Sequence, residues 1–81
     1  MITREEAFEL ITKNKYQELF SILKTKSVGE PEHLKMIILL ESSYNQIKSS
    51  FILRIIKDSE YYDEMAKLRN RVFEVINMIF I

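Results

Sequence analysis

Two apolar seams, neither interrupted by glycine or proline, constrain this chain more than any other feature. Ile37, Leu40, Tyr44, Ile47 and Phe51 advance by alternating steps of three and four residues, and so do Tyr61, Met65, Leu68, Val72, Val75 and Ile79. That rhythm keeps side chains on one stripe of an α-helix and scatters them over both faces of a strand. Two long helices packed at a shallow angle are therefore expected, the first running from Glu32 toward Lys57-Asp58-Ser59 and the second from a cap at Asp58 or Ser59. Leu34, Ile38, Ile52 and Ile55 add a second stripe to the first of these helices, which predicts neighbours on two sides. Ser49-Ser50 is a potential kink, and the turn that ends this helix falls near residues 54–57.

The preceding residues read as two shorter helices. Thr3-Arg4-Glu5-Glu6 has capping-box spacing, with Thr3 able to accept an amide of the first turn while Glu6 reaches back. Ala7, Phe8 and Ile11 give this helix one buried face, and Lys13-Asn14 ends it, because asparagine tolerates a left-handed turn. Tyr16, Leu19, Phe20 and Leu23, widened by Ile22, predict a second short helix from about Lys15 to Lys26. Ser27-Val28-Gly29-Glu30-Pro31 then holds the only glycine and the only proline, with Pro31 placed where a helix begins. No stretch alternates with a period of two between turn signals. The expectation is an all-α fold: a compact four-helix arrangement with two short N-terminal helices packed on an antiparallel pair of long ones.

With 81 residues there is room for one domain, spanning 1–81, and its core is thin. Twelve basic and twelve acidic residues cancel, which argues against nucleic acid as a partner, since that affinity rests on a basic excess. Lys48, Arg54, Arg69 and Arg71 are the residues a nucleic-acid reading would need, and no basic cluster outruns its neighbouring acids. The chain has no cysteine, so neither a disulfide nor a thiolate metal site is available and a reducing compartment fits. Its longest apolar run, Met36 to Leu40, falls far short of the roughly 20 residues that cross a bilayer, and Met1-Ile2-Thr3-Arg4-Glu5-Glu6 does not read as a signal peptide. A cytoplasmic protein without a membrane partner is expected.

Chemistry-bearing residues are sparse. His33 is the only histidine, and without cysteine a zinc site would need several carboxylates to close around it. The acidic pairs Glu5-Glu6 and Asp63-Glu64 are consecutive helical residues pointing about 100 degrees apart, which suits solvated helix starts better than a catalytic dyad. Ser42, Ser43, Ser49 and Ser50 lie in no nucleophile elbow, and one glycine cannot form a phosphate-cradling loop. No enzyme, cofactor or metal is expected.

Arg69-Asn70-Arg71 sits inside the second seam. With Leu68 at the origin of a helical wheel, Val72 and Val75 lie near the same angle, Arg69 and Arg71 on opposite shoulders, and Asn70 at the back. Shoulder arginines either lay their methylenes over the core and pair with carboxylates such as Glu74, or meet a partner. Tyr62, Phe73, Ile76 and Phe80 run beside the seam; the aromatic ones either cover the short helices or form an exposed patch. The ending, Ile76 to Ile81, is apolar enough to suggest a docked end or an excised domain.

"LLESSYNQIKSS", residues 39–50, and "LRNRVFEVINMI", residues 68–79, together resemble the bacterial effector-associated domains, in particular the variant numbered eleven. That family has a leucine-rich third helix with a polar segment containing Asn, and a closing helix with an Asn-Arg pair followed by aliphatic residues. "FELITKNKYQELFSIL", residues 8–23, is similar to its first hairpin. The chain departs from the pattern in two places. The family often has glycine near an Ile-Ser turn before the last helix, where this chain reads Arg54-Ile55-Ile56-Lys57-Asp58, and an acidic residue where this chain has Leu68.

The resemblance implies a Death-like adaptor module of a bacterial conflict or defence system. Such a module pairs with a related helical domain on another protein and recruits an effector such as a protease or NTPase. Asn45, Lys48, Arg69, Asn70 and Arg71 are the candidate partner-binding residues. The alternative is a self-associating helical protein, an obligate homodimer through its long helices.

Overall fold

A computed structural model describes residues 2–80; Met1 and Ile81 lie outside it, and with them the two ends of the leader and docked-end readings. Four helices follow in order: α1 (Arg4–Thr12), α2 (Tyr16–Lys26), α3 (Pro31–Ile52) and α4 (Asp58–Ile79), with no strand among the described residues. Each helix packs on two others, α1 on α2 and α4, and α3 on α2 and α4, so the four form a ring around one apolar cluster. The all-α arrangement of two short and two long helices is the one the periodicity requires.

Local chemistry sets most of the boundaries. Thr3 and Glu6 close the expected capping box: the Glu6 amide donates to the Thr3 hydroxyl at 3.2 Å and the Thr3 amide donates to the Glu6 carboxylate at 3.3 Å. Asn14 takes the left-handed conformation, φ 58°. Its amide donates to the Ile11 carbonyl and that of Lys15 to the Leu10 carbonyl, the paired bonds of a Schellman ending. Pro31 occupies the first turn of α3, where its missing N–H costs nothing.

The end of α3 differs from the expectation. The helix runs uninterrupted through Ser49-Ser50 and stops at Ile52, before the Arg54-to-Lys57 region. Arg54 adopts φ 59°, and its amide donates to the Phe51 carbonyl while that of Ile55 donates to Ser50 at 2.8 Å. This is a second Schellman ending, with arginine in the position that glycine fills at least cost. The cap of α4 also shifts. Lys57 holds the cap position, its amide donating to the Glu60 carboxylate at 3.3 Å, while Asp58 falls inside the first turn.

The core is drawn from every helix: Ala7 and Ile11; Tyr16, Leu19, Phe20 and Leu23; Ile37, Leu40 and Tyr44; Met65, Leu68, Val72, Val75 and Ile76. The middle of both seams is thus consumed within one chain, while Ile47, Phe51, Tyr61 and Ile79 are half-buried. Tyr44 anchors the middle, its ring 5.1 Å from Tyr16 and 5.9 Å from Phe20. Lys24 ties α2 to α3 through both oxygens of Glu41, at 2.9 and 3.2 Å. Phe8 on α1 meets Phe73 on α4 edge-on at 5.2 Å.

The second stripe of α3 is only half used. Leu34 is half-buried, whereas Ile38, Ile52 and Ile55 are exposed. For Ile52 and Ile55 the cause is length: α3 has 22 residues and α2 has 11, so at about 1.5 Å per residue the short helix covers half of the long one, whereas Ile38 is exposed within the covered half. Burial consequently stops at Tyr44 on α3 and resumes at Met65 on α4. The aromatic flank of α4 divides in the same way. Phe73 meets Phe8 on α1 and Lys26 lies 4.7 Å over the half-buried Phe80 ring, while Tyr62 remains exposed.

Candidate functional site

From Asn45 to Glu64 no residue is buried. This far end of the α3/α4 hairpin is held by its own contacts, chiefly the Phe51 ring stacked 4.2 Å from that of Tyr61, with Ile47 half-buried beside them. Around the turn, Ile52, Leu53 and Ile55 are each about 70% exposed, and Tyr62 is 69% exposed. Isolated exposed apolar residues are ordinary, but four large ones at one hairpin end are a concentration of the kind that marks contact surfaces.

Two recesses flank the hairpin below this end. The first, of about 360 Å³, is lined by Asn14, Tyr16, Tyr44, Lys48, Tyr61, Tyr62, Met65 and Arg69. It lies where the turn between α1 and α2 meets both long helices. Two cations and four tyrosines line it without a carboxylate, and Lys48 holds its ammonium 6.0 Å from the Tyr44 ring. Tyr16 is 1% exposed and its hydroxyl has no hydrogen-bond partner. The second recess, about 290 Å³, runs between α3 and α4 and includes Ser43, Gln46, Ser50, Glu64, Lys67 and Arg71.

The candidate residues therefore separate. Lys48 and Arg69 meet in the tyrosine-lined recess, whereas Arg71 faces the other groove. Asn45 and Asn70 are exposed and line neither. Of the two readings of the arginines, pairing with intramolecular carboxylates is not found among the described residues: the ion pairs there are Lys13 with Glu9, Lys24 with Glu41 and Lys67 with Glu64. In the two pairs three or four residues apart, glutamate precedes lysine, the favourable order against the helix dipole, while Arg71 before Glu74 is the reverse. Arg54 sits apart with Lys57 and Asp58 at the turn after α3, so the four cations of a nucleic-acid reading form no continuous stripe.

The sequence reading missed the tyrosine cluster. Tyr16, Tyr44 and Tyr61 each fall in an apolar rhythm, and the signal available was their shared residue type on three helices, Tyr16 and Tyr61 in first turns and Tyr44 inside α3. Among the described residues no group of three or more His, Cys, Asp or Glu is placed to hold a metal ion, and no helix is long and apolar enough to cross a membrane.

Geometry of this kind defines a small all-helical domain whose distinctive features are surface patches and shallow recesses. The chain belongs to the effector-associated domain 11 family, whose model matches residues 2–80. No curated protein and no solved structure gives a match. Membership makes this an effector-associated module.

Proposed function

We propose that the chain is a non-enzymatic adaptor of a bacterial conflict or defence system. It pairs with a related helical domain on another protein and so recruits an effector such as a protease or an NTPase. The observation that carries this reading is the uncovered hairpin end. A chain with a thin core leaves Ile52, Leu53, Ile55 and Tyr62 in solvent, while Arg69 and Arg71 stand beside it without intramolecular ion pairs. Exposed aromatic and aliphatic anchors rimmed by arginine are the composition of interface hot spots. Balanced charge suits complementary acidic and basic patches on the two domains, and the cysteine-free composition suits a cytoplasmic setting.

The test is binding of the purified chain to helical domains encoded by its neighbouring genes. Replacing Ile52, Leu53 and Ile55 together by serine should weaken capture at least tenfold while leaving the helical circular dichroism signal unchanged. Failure of a correctly folded wild-type chain to bind any such domain sinks the adaptor reading.

The alternative, an obligate homodimer through the long-helix seams, is disfavoured because Ile37, Leu40, Leu68 and Val72 are buried within one chain. Light scattering at micromolar concentration decides it: a folded monomer excludes the obligate dimer.

A further inference from the structure

We infer that the tyrosine-lined recess is a socket for an acidic side chain, the aspartate or glutamate of a polypeptide partner. The inference rests on the adaptor reading and assigns it a specific contact. Lys48 from α3 and Arg69 from α4 converge on one recess whose lining includes no carboxylate. In a chain with as many acids as bases, two cations brought together without a counter-charge are the exception. The three ion pairs elsewhere engage other lysines.

The walls specify what kind of anion fits. Tyr44, Tyr61, Tyr62 and Met65 present rings and a thioether, which favour the methylenes and backbone of a peptide over a fully hydrated ion. The recess is bounded by the flanks of α3 and α4 and by the turn at Asn14. Side chains of Lys48, Arg69 and Asn14 and the tyrosine hydroxyls are therefore the donors available, unlike the fan of backbone amides that holds phosphate at a helix start. A volume of about 360 Å³ lies at the small end of the roughly 300 to 1,000 Å³ range of ligand pockets, room for one or two side chains. The recess also adjoins Tyr62, 69% exposed, so an acidic residue seated in it would bring the rest of its segment against the apolar hairpin end.

The chemistry of the occupant follows from how helical domains place their acids. In this chain Glu5, Glu6, Glu32, Asp58 and Glu60 stand in the first turns of α1, α3 and α4, where the helix dipole favours negative charge. A related helical domain would offer its acids at the same kind of place, and a helix start is an exposed, narrow element that enters a shallow recess. Charge-assisted hydrogen bonds from arginine and lysine to carboxylate are about twice as strong as neutral ones, so the socket discriminates glutamate from glutamine.

The probe is a capped hexapeptide with two adjacent glutamates between leucines, compared with its glutamine counterpart, by amide NMR titration of the full chain. The expected result is saturable shifts at Tyr44, Lys48, Tyr62 and Arg69, with the glutamine peptide about tenfold weaker. Lys48→Glu combined with Arg69→Glu should abolish saturation, and Lys35→Glu, at an exposed residue that does not line the recess, should preserve it. Equal shifts by both peptides, shifts centred on Gln46 and Arg71, or displacement of the peptide by equimolar inorganic phosphate would each overturn the socket. If the natural partner binds the Lys48→Glu, Arg69→Glu variant as tightly as wild type, the socket falls and the adaptor reading stands. If no helical partner binds the wild type, the adaptor reading falls by itself, whatever the peptide does.

Discussion

The ring of Tyr16 stacks 5.1 Å from that of Tyr44, and this contact marks where the short hairpin stops on the long one. Tyr16 is the first residue of α2 and Tyr44 the last buried residue of α3. On one side of the pair lies a complete four-helix core. On the other, α3 and α4 continue as an uncovered hairpin carrying exposed apolar residues and bounded by the recess that Lys48 and Arg69 enter.

Tyr16→Phe keeps the stack and deletes a buried hydroxyl that has no partner. Leaving such a group unsatisfied costs about 1 to 3 kcal/mol, so the variant should match or exceed wild type in urea unfolding. A loss of more than about 1 kcal/mol would mean the hydroxyl is satisfied in solution. Tyr44→Ala, in contrast, removes the ring shared by Tyr16 and Phe20 and should cost about 3 to 5 kcal/mol.

Arg54 ends α3 in a left-handed conformation, φ 59°, which costs a residue with a Cβ roughly 1 kcal/mol. Arg54→Gly should raise unfolding free energy by about 0.5 to 1 kcal/mol, and Arg54→Val should lower it by at least as much, because a β-branched side chain is least tolerant of that region. Thermal denaturation of the three proteins gives the order directly.

Glu41 accepts both contacts from Lys24, and the pair is partly shielded, with side chains 37% and 28% exposed. Glu41→Gln should destabilise by about 0.5 to 1 kcal/mol, within the range of partly exposed pairs. A double-mutant cycle with Lys24→Met isolates the coupling, which should shrink in 1 M salt, where the screening length falls to about 3 Å.

Because burial ends at Tyr44 and resumes at Met65, the far end of the hairpin should open without global unfolding. Amide exchange between residues 47 and 60 should be faster by at least about tenfold than between 65 and 76 in the free chain, since local stability follows buried contact. Partner binding should close that gap. Uniform protection along both long helices would contradict an uncovered end.

Much of this fold was legible because helical information is local. Thr3 and Glu6 form their capping box three residues apart, Asn14 turns left-handed where the first apolar rhythm ends, and Pro31 opens α3. The seams of three- and four-residue steps identified Leu40, Leu68 and Val72 as core. The end of α3 was not legible in the same way: nothing in the composition of Arg54 signals a left-handed residue, and the apolar rhythm through Ile52 and Ile55 continues past the point where the backbone turns. The pairing of Arg71 with Glu74 failed for a related reason, since spacing gives proximity on a helix but not the net gain of an exposed ion pair.

The sequence by itself determined four helices, most of their boundaries and the main seam that each turns inward, because periodicity and capping act within a few residues of the chain. Tertiary structure alone decided which half of the long hairpin the short one covers. That choice left Ile52, Leu53, Ile55 and Tyr62 exposed. It also joined Lys48, Arg69 and Asn14, which come from three separate segments, around one cluster of tyrosines. Such juxtapositions depend on how helices of unequal length stack against one another, and no pattern confined to a single helix contains that information.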